Sequence, residues 1–273
     1  ATAQLLMVSG DKTGALAQVE ATLKAHPESS RPWVSTADLL QASGSEPASV
    51  MAAYREALKL DKTDMQAHLG VIQLLQRQRD FDGMQKQLDD LEKVQPNGLQ
   101  GRYFKTVLAF ERRDLKTAFE MSQQLLKIAP QNPRFLQLAG MIEYERGGYL
   151  QAVAHLGKAL ANSPTPNTVR VLMARAQLRA GDPRKAISFV QPLLDGDGAP
   201  ADVYSVAADA YLQMGNSEAA KRMYTKAVRI NPGDTRGRTA LALADLTEGR
   251  GDKALAELKI LAGADSGIEA EVV

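Results

Sequence analysis

Glycine recurs at Gly147, Gly181, Gly215 and Gly249, each 34 residues after the last, and two other residue types keep the same interval. Alanine does so at Ala118, Ala152, Ala186, Ala220 and Ala254, and proline at Pro96, Pro130 and Pro164, resuming at Pro232. Three series in one phase leave few folds open. Self-similarity at this length marks stacked supersecondary units, and the interval is that of a helix-turn-helix repeat. Between the punctuating residues the apolar positions fall three and four apart, as in Leu150, Val153, Ala154 and Leu156, which is helical spacing.

Each period therefore carries two helices. The first is expected to close on a glycine in the left-handed conformation, and the second to open on a side chain that accepts hydrogen bonds from exposed N–H groups. The expected caps are Asp11, Ser45, Asp80, Asp114, Asp182 and Asn216. Pro47 and Pro183 follow two of them, where the first helical turn has no use for the missing N–H. The Ala118 series lies on the second helix facing the first, where a lone methyl lets two backbones approach. One such hairpin cannot bury its apolar faces alone, so neighbours stack into a quasi-one-dimensional array with one continuous core.

These residues resemble the tetratricopeptide repeat (TPR) family. The seventh unit carries the resemblance most fully, in Tyr204, Ala207, Ala208, Tyr211, Gly215, Ala220, Tyr224, Ala227 and Pro232. The second supplies Trp33, Ala37, Leu40, Gly44, Tyr54 and Ala57, with one extra residue in its turn. The third and fourth depart from the pattern, with Arg79 and Arg113 where glycine is usual. The resemblance implies an all-α, right-handed α-solenoid (superhelix) of about eight units, at about 1–28, 30–63, 65–98, 99–132, 133–166, 167–200, 201–234 and 235–268. Sixteen helices in a single array over 1–273 are expected. The chain opens inside a first helix and passes a turn beyond Ser266 into the start of another, so it reads as a segment of a longer repeat protein.

Composition excludes several kinds of chemistry. The chain has no cysteine, hence no disulfide, thiolate metal site or cysteine nucleophile. No apolar run reaches the roughly 18 residues of a membrane-spanning helix. His26, His68 and His155 fall in different units and read as packing or surface residues; Asp89 with Asp90 and Glu143 with Glu145 read as solvated faces rather than acid–base pairs. Gly196-Asp197-Gly198 and Arg250-Gly251-Asp252 read as turns. No catalytic, metal-binding or cofactor-binding set can be assembled, and no enzymatic activity is expected.

Formal net charge is +1 over 273 residues, yet it is unevenly placed: −3 over 1–101, +8 over 102–190 and −4 over 191–273. A basic middle can steer an anionic partner.

In TPR folds the first helix of each unit lines the concave face at its second, fifth, ninth, twelfth and thirteenth positions. The resemblance thus implies a partner groove containing Gln73, Gln76, Arg77, Tyr103, Val107, Phe110, Arg134, Gln137, Met141, Tyr144, Val171, Arg175 and Arg179. Aromatic and methionine anchors with arginine at the margins suit a protein or peptide partner, here one of acidic character. The asparagines all map to turns or their edges, so the carboxylate clamp of chaperone-binding TPR domains is not expected. The texture of the last three units resembles the bacterial TPR lipoproteins of the PEP-CTERM protein-sorting and exopolysaccharide system. That implies a scaffold in the cell envelope, lipid-anchored upstream of this segment. Two alternatives stay open: a nucleic-acid-binding helical repeat using the basic middle, and a regulatory arm of an enzyme, in which case a cytoplasmic location is compatible.

Overall fold

The computed structural model describes residue 6 and residues 11–162, 167–196, 198–247 and 249–270. Among these every regular element is helical. Helices α1 (Lys12–Ala25), α2 (Ser30–Ala42), α3 (Pro47–Leu60), α4 (Met65–Gln78), α5 (Phe81–Val94), α6 (Leu99–Glu111) and α7 (Leu115–Ile128) come first. Then follow α8 (Pro133–Glu145), α9 (Tyr149–Asn162), α10 (Asn167–Arg179), α11 (Pro183–Leu194), α12 (Ala201–Gln213), α13 (Ser217–Ile230), α14 (Thr235–Thr247) and α15 (Gly251–Ala270). The helix expected before Gly10, and Pro164 of the proline series, lie outside the described residues. Chain contacts divide the molecule into two compact units, Ala1–Leu125 and Leu126–Val273.

The turn chemistry accounts for most boundaries. Gly44, Gly147, Gly181, Gly215 and Gly249 all have φ between +76° and +86°. Arg79 and Arg113, which replace glycine in the series, are forced into the same region at φ 58° and 62°, a conformation that strains an L side chain. Asp11, Asp80, Asp182 and Asn216 accept from the N–H three residues on at 2.8–3.0 Å, and Asp114 does so at 3.1 Å. Ser45 departs from expectation. The extra residue in that turn moves the cap position to Glu46, whose side chain makes no capping bond, and Ser45 Oγ instead meets Ser43 Oγ at 2.9 Å. Asp64, Asn132 and Asp234 cap the first helices of their hairpins.

In the first unit α1 to α6 pack in sequence order. Ala15, Val19 and Leu39 form one buried cluster there. In the second unit α8 to α15 do likewise, and α10 also touches α8 and α12, so the leading helices of successive hairpins adjoin. The alanine series sits at the tight contacts: Ala118, Ala152, Ala186 and Ala254 are fully buried and Ala220 nearly so. Gly140 on α8 shows how close the helices come, since a Cβ there would lie 2.6 Å from Leu156 Cγ on α9. Between α10, α11 and α12 the core is built from Val171, Leu178, Val190, Val203 and Val206.

One boundary differs from the sequence expectation. No turn forms beyond Ser266; α15 runs unbroken to Ala270. The second helices α5, α7 and α13 stop at turns containing Pro96, Pro130 and Pro232. Position 266 of that series holds serine, which keeps its N–H and lets the helix continue.

Candidate functional site

Of the expected groove residues, those in the first unit lie on α4 and α6. Gln73, Gln76, Tyr103 and Phe110 are half-buried and Arg77 is exposed, whereas Val107 is buried. In the second unit Gln137, Met141 and Tyr144 on α8 are half-buried, and Arg134, Arg175 and Arg179 are exposed. Val171, at 4% exposure, belongs to the core between α10 and α12. Val107 and Val171 are thus corrections: both are small apolar side chains that the neighbouring hairpin covers, leaving no area for a partner.

A cleft of about 370 Å³ opens in the second unit beside Tyr144, Arg175 and Arg179. Its further walls are Asp202, Ser205, Asp209 and Gln213 of α12, Asn231 and Asp234 of the loop between α13 and α14, and Arg236 of α14. These residues escaped the sequence reading although the signal was present. Asp202, Ser205, Asp209 and Gln213 occupy the second, fifth, ninth and thirteenth positions of the seventh repeat, the same register carried one unit further.

Asp209 is held from two sides. Tyr224 of α13 donates its hydroxyl to Oδ1 at 2.5 Å, and Arg236 Nη2 lies 2.8 Å from Oδ2. Burial pushes the Asp209 carboxyl above its usual range, opposed by the Tyr224 hydroxyl and by Arg236 and Arg175. Burial, with the adjacent carboxylate, pushes the Tyr224 phenol up as well. Asp234 accepts from Ser205 Oγ at 3.0 Å while capping α14 at Gly237 N. Arg175 Nη2 is 3.8 Å from Asp202 Oδ2, and the Arg179 guanidinium stands 5.8 Å from the centre of the Tyr149 ring. Arg175, expected to select an acidic partner, therefore faces an aspartate of the same cleft.

The basic middle stretch is similarly compensated. Lys105 pairs with Glu92 at 2.9 Å and Arg112 with Asp82 at 2.7 Å in the first unit. Arg146 pairs with Glu143 at 3.4 Å and Lys185 with Asp182 at 2.8 Å in the second. Glu92, Asp82 and Asp202 come from outside the basic stretch, so the sequence block is not an equally basic surface.

His26 is exposed. His68 is buried, accepting from Gln87 at Nδ1 (2.6 Å) while its Nε2–H donates to the Lys62 carbonyl (2.9 Å). His155 is half-buried; burial lowers its pKa, and its Nδ1 has no partner. Glu143 corrects the expectation of a solvated carboxylate pair: it is 8% exposed and packs beside Gly148, where a Cβ would crowd it, whereas Glu145 is exposed. Arg250 immediately precedes α15 and pairs with Asp245, which also holds Lys253. Among the described residues no group of three His, Asp or Glu side chains is placed to hold a metal ion, and no helix is long and apolar enough to cross a membrane.

Sequence comparison matches three profiles, each described as tetratricopeptide repeat, to residues 1–64, 106–179 and 178–242. Similar proteins include the cellulose synthase operon protein C of Komagataeibacter sucrofermentans and that of Komagataeibacter xylinus. Each is 28% identical over 115 residues, or 42% of this chain and 9% of the relative. The chain thus matches only a small part of the length of those proteins. Among solved structures, a chain of the APC/C hetero-tetramer Cut9-Hcn1 superposes with a TM-score of 0.77 at 15% identity, over 89% of this chain and 48% of that one. PilW, described as a widely conserved type IV pilus biogenesis factor, does so at 0.67 and 18% identity, over 78% and 98%. At such identities the likeness is one of fold.

Proposed function

The chain belongs to the tetratricopeptide repeat family, and from that premise we propose that it is a protein-binding scaffold of the bacterial envelope, serving exopolysaccharide export or the sorting of surface proteins. The fold class works by presenting surface and carries no catalytic machinery. The observation that carries the reading is the leading-helix face of the second unit. There Tyr144 of α8 lines an open cleft with Arg175 and Arg179 of α10, and Gln137 and Met141 of α8 are partly exposed in the same register. A ring, a thioether and planar guanidinium groups are the side chains that anchor interfaces, because they offer large contact area with few rotatable bonds or with adaptable shape. The partner is a protein segment rather than one chosen for acidity, since Arg175 lies beside Asp202. Similarity to cellulose synthase operon protein C supports placing the scaffold with polymer export, and the PEP-CTERM assignment rests on repeat texture. The single array over 1–273 is part of the same proposal.

Affinity purification of the protein from its native cells, quantified by mass spectrometry, tests this. An envelope export or sorting protein should co-purify with the parent and fall by about tenfold or more with Tyr144→Ala, as for a central interface anchor. Recovery of cytosolic proteins alone, or a set unchanged by Tyr144→Ala, contradicts the proposal. The nucleic-acid alternative predicts RNA binding that weakens steeply with salt.

A further inference from the structure

The cleft of the second unit has properties that a peptide groove does not require. Three arginines and three aspartates line it, and they balance. Arg236 is committed to Asp209 at 2.8 Å, Arg175 stands 3.8 Å from Asp202, and Asp234 is engaged by Ser205 and Gly237. A polyanion entering here meets the aspartates, and a polycation meets the arginines. Neither is favoured.

The pairings nevertheless leave capacity unused. A guanidinium has five N–H donors in a planar fork, and a carboxylate has about four acceptor sites; each ion pair here occupies one or two. Gln213 and Asn231 add amides, and Asn231 Oδ1 is taken only by Gly233 N. The lining therefore offers both donors and acceptors. A hydroxyl is the group that both donates and accepts while carrying no charge. Tyr144 supplies a ring at one side, and Leu178 and Val206 supply apolar floor, a match for C–H faces. The volume, about 370 Å³, falls within the roughly 300–1,000 Å³ of small-molecule sites.

We propose that this cleft binds a neutral oligosaccharide, with Arg175, Asp202, Gln213 and Asn231 bonding its hydroxyls and Tyr144 packing against a sugar ring. The site shares Tyr144 and Arg175 with the proposed protein-binding face; its test reads sugar binding by the isolated chain, so either proposal can fail without the other.

Titration calorimetry of the full chain against cellohexaose, maltohexaose and mannohexaose tests the assignment, with oligogalacturonate and polyglutamate as charged comparators. At least one neutral hexasaccharide should bind, with an affinity unchanged from about 0.05 to about 0.5 M salt, because no net charge is exchanged. Asp202→Ala and Gln213→Ala, both at exposed positions, should each weaken binding, Asp202→Ala by about tenfold, the value of a hydrogen bond to a charged group. Tyr144→Ala should abolish binding and Tyr144→Phe, which keeps the ring, should retain most of it, with helical circular dichroism unchanged throughout. Absence of binding to all three neutral sugars, binding indifferent to these substitutions, or stronger binding of either charged comparator would overturn the proposal.

Discussion

Asp209 carries the most unfavourable electrostatics of the cleft, a carboxylate on a side chain only 11% exposed. Its pKa is raised by burial from the ordinary 3.8, so the folded state holds the proton more tightly than the unfolded chain. Stability contributed by this group is present at low pH and is lost as pH rises from 3.8 through the raised value. Thermal denaturation of the parent and of Asp209→Asn should diverge over that window, the parent losing stability relative to the variant. Equal pH profiles would contradict the account. Tyr224→Phe removes the hydroxyl that stabilises the anion and should cost about 1–3 kcal/mol at neutral pH. It should also push the window upward; denaturant unfolding measures both. The same pairing occurs at Asp38 and Tyr54, 2.6 Å apart, with the spacing lengthened from 15 to 16 residues by the extra turn residue of the second repeat. The repeated tyrosines were legible in the sequence as family residues. Their aspartate partners were not: a carboxylate at the ninth position of a leading helix reads as a surface charge, which Asp38 remains by exposure, whereas Asp209 is buried.

At the scale of helices and turns the sequence was most informative, because each period combines a spacing with a stereochemical requirement. The glycine series was expected to be left-handed and is, and the substitutions Arg79 and Arg113 follow the backbone rather than altering it. At Gly215, where φ is 76° and a Cβ would meet nothing within 4 Å, Gly215→Ala isolates backbone strain. It should cost about 1–2 kcal/mol in denaturant unfolding, and Gly215→Asn should cost less. Ala220, only 2% exposed between α12 and α13, tests packing instead. Ala220→Phe should destabilise by about 1–3 kcal/mol; an unchanged melting temperature would mean that the helices do not meet there. The failures at this scale also have physical causes. Ser45 lost its capping role because one inserted residue shifted the frame, and α15 passes the expected turn where position 266 holds a serine, which keeps its N–H for the helical ladder.

For the whole molecule, the 34-residue interval announced hairpins that pack on their sequence neighbours, as they do within each unit. The charge distribution was the less reliable guide. A stretch of net +8 in sequence meets Asp82, Glu92 and Asp202 in space, and linear charge cannot report pairing between repeats. The leading-helix face was legible as a register, and the cleft lies in that register one repeat beyond the residues expected to form a groove. The central claim, that function resides on the leading-helix face of the second unit, can be measured directly by site-specific photo-crosslinking in native cells. A benzophenone amino acid is placed either at Met141 on α8 or at Leu150 on α9, which is 69% exposed. The account predicts crosslinks from position 141 to a defined envelope protein and few from position 150. Equal crosslinking from both positions, or crosslinks from position 150 alone, would contradict it.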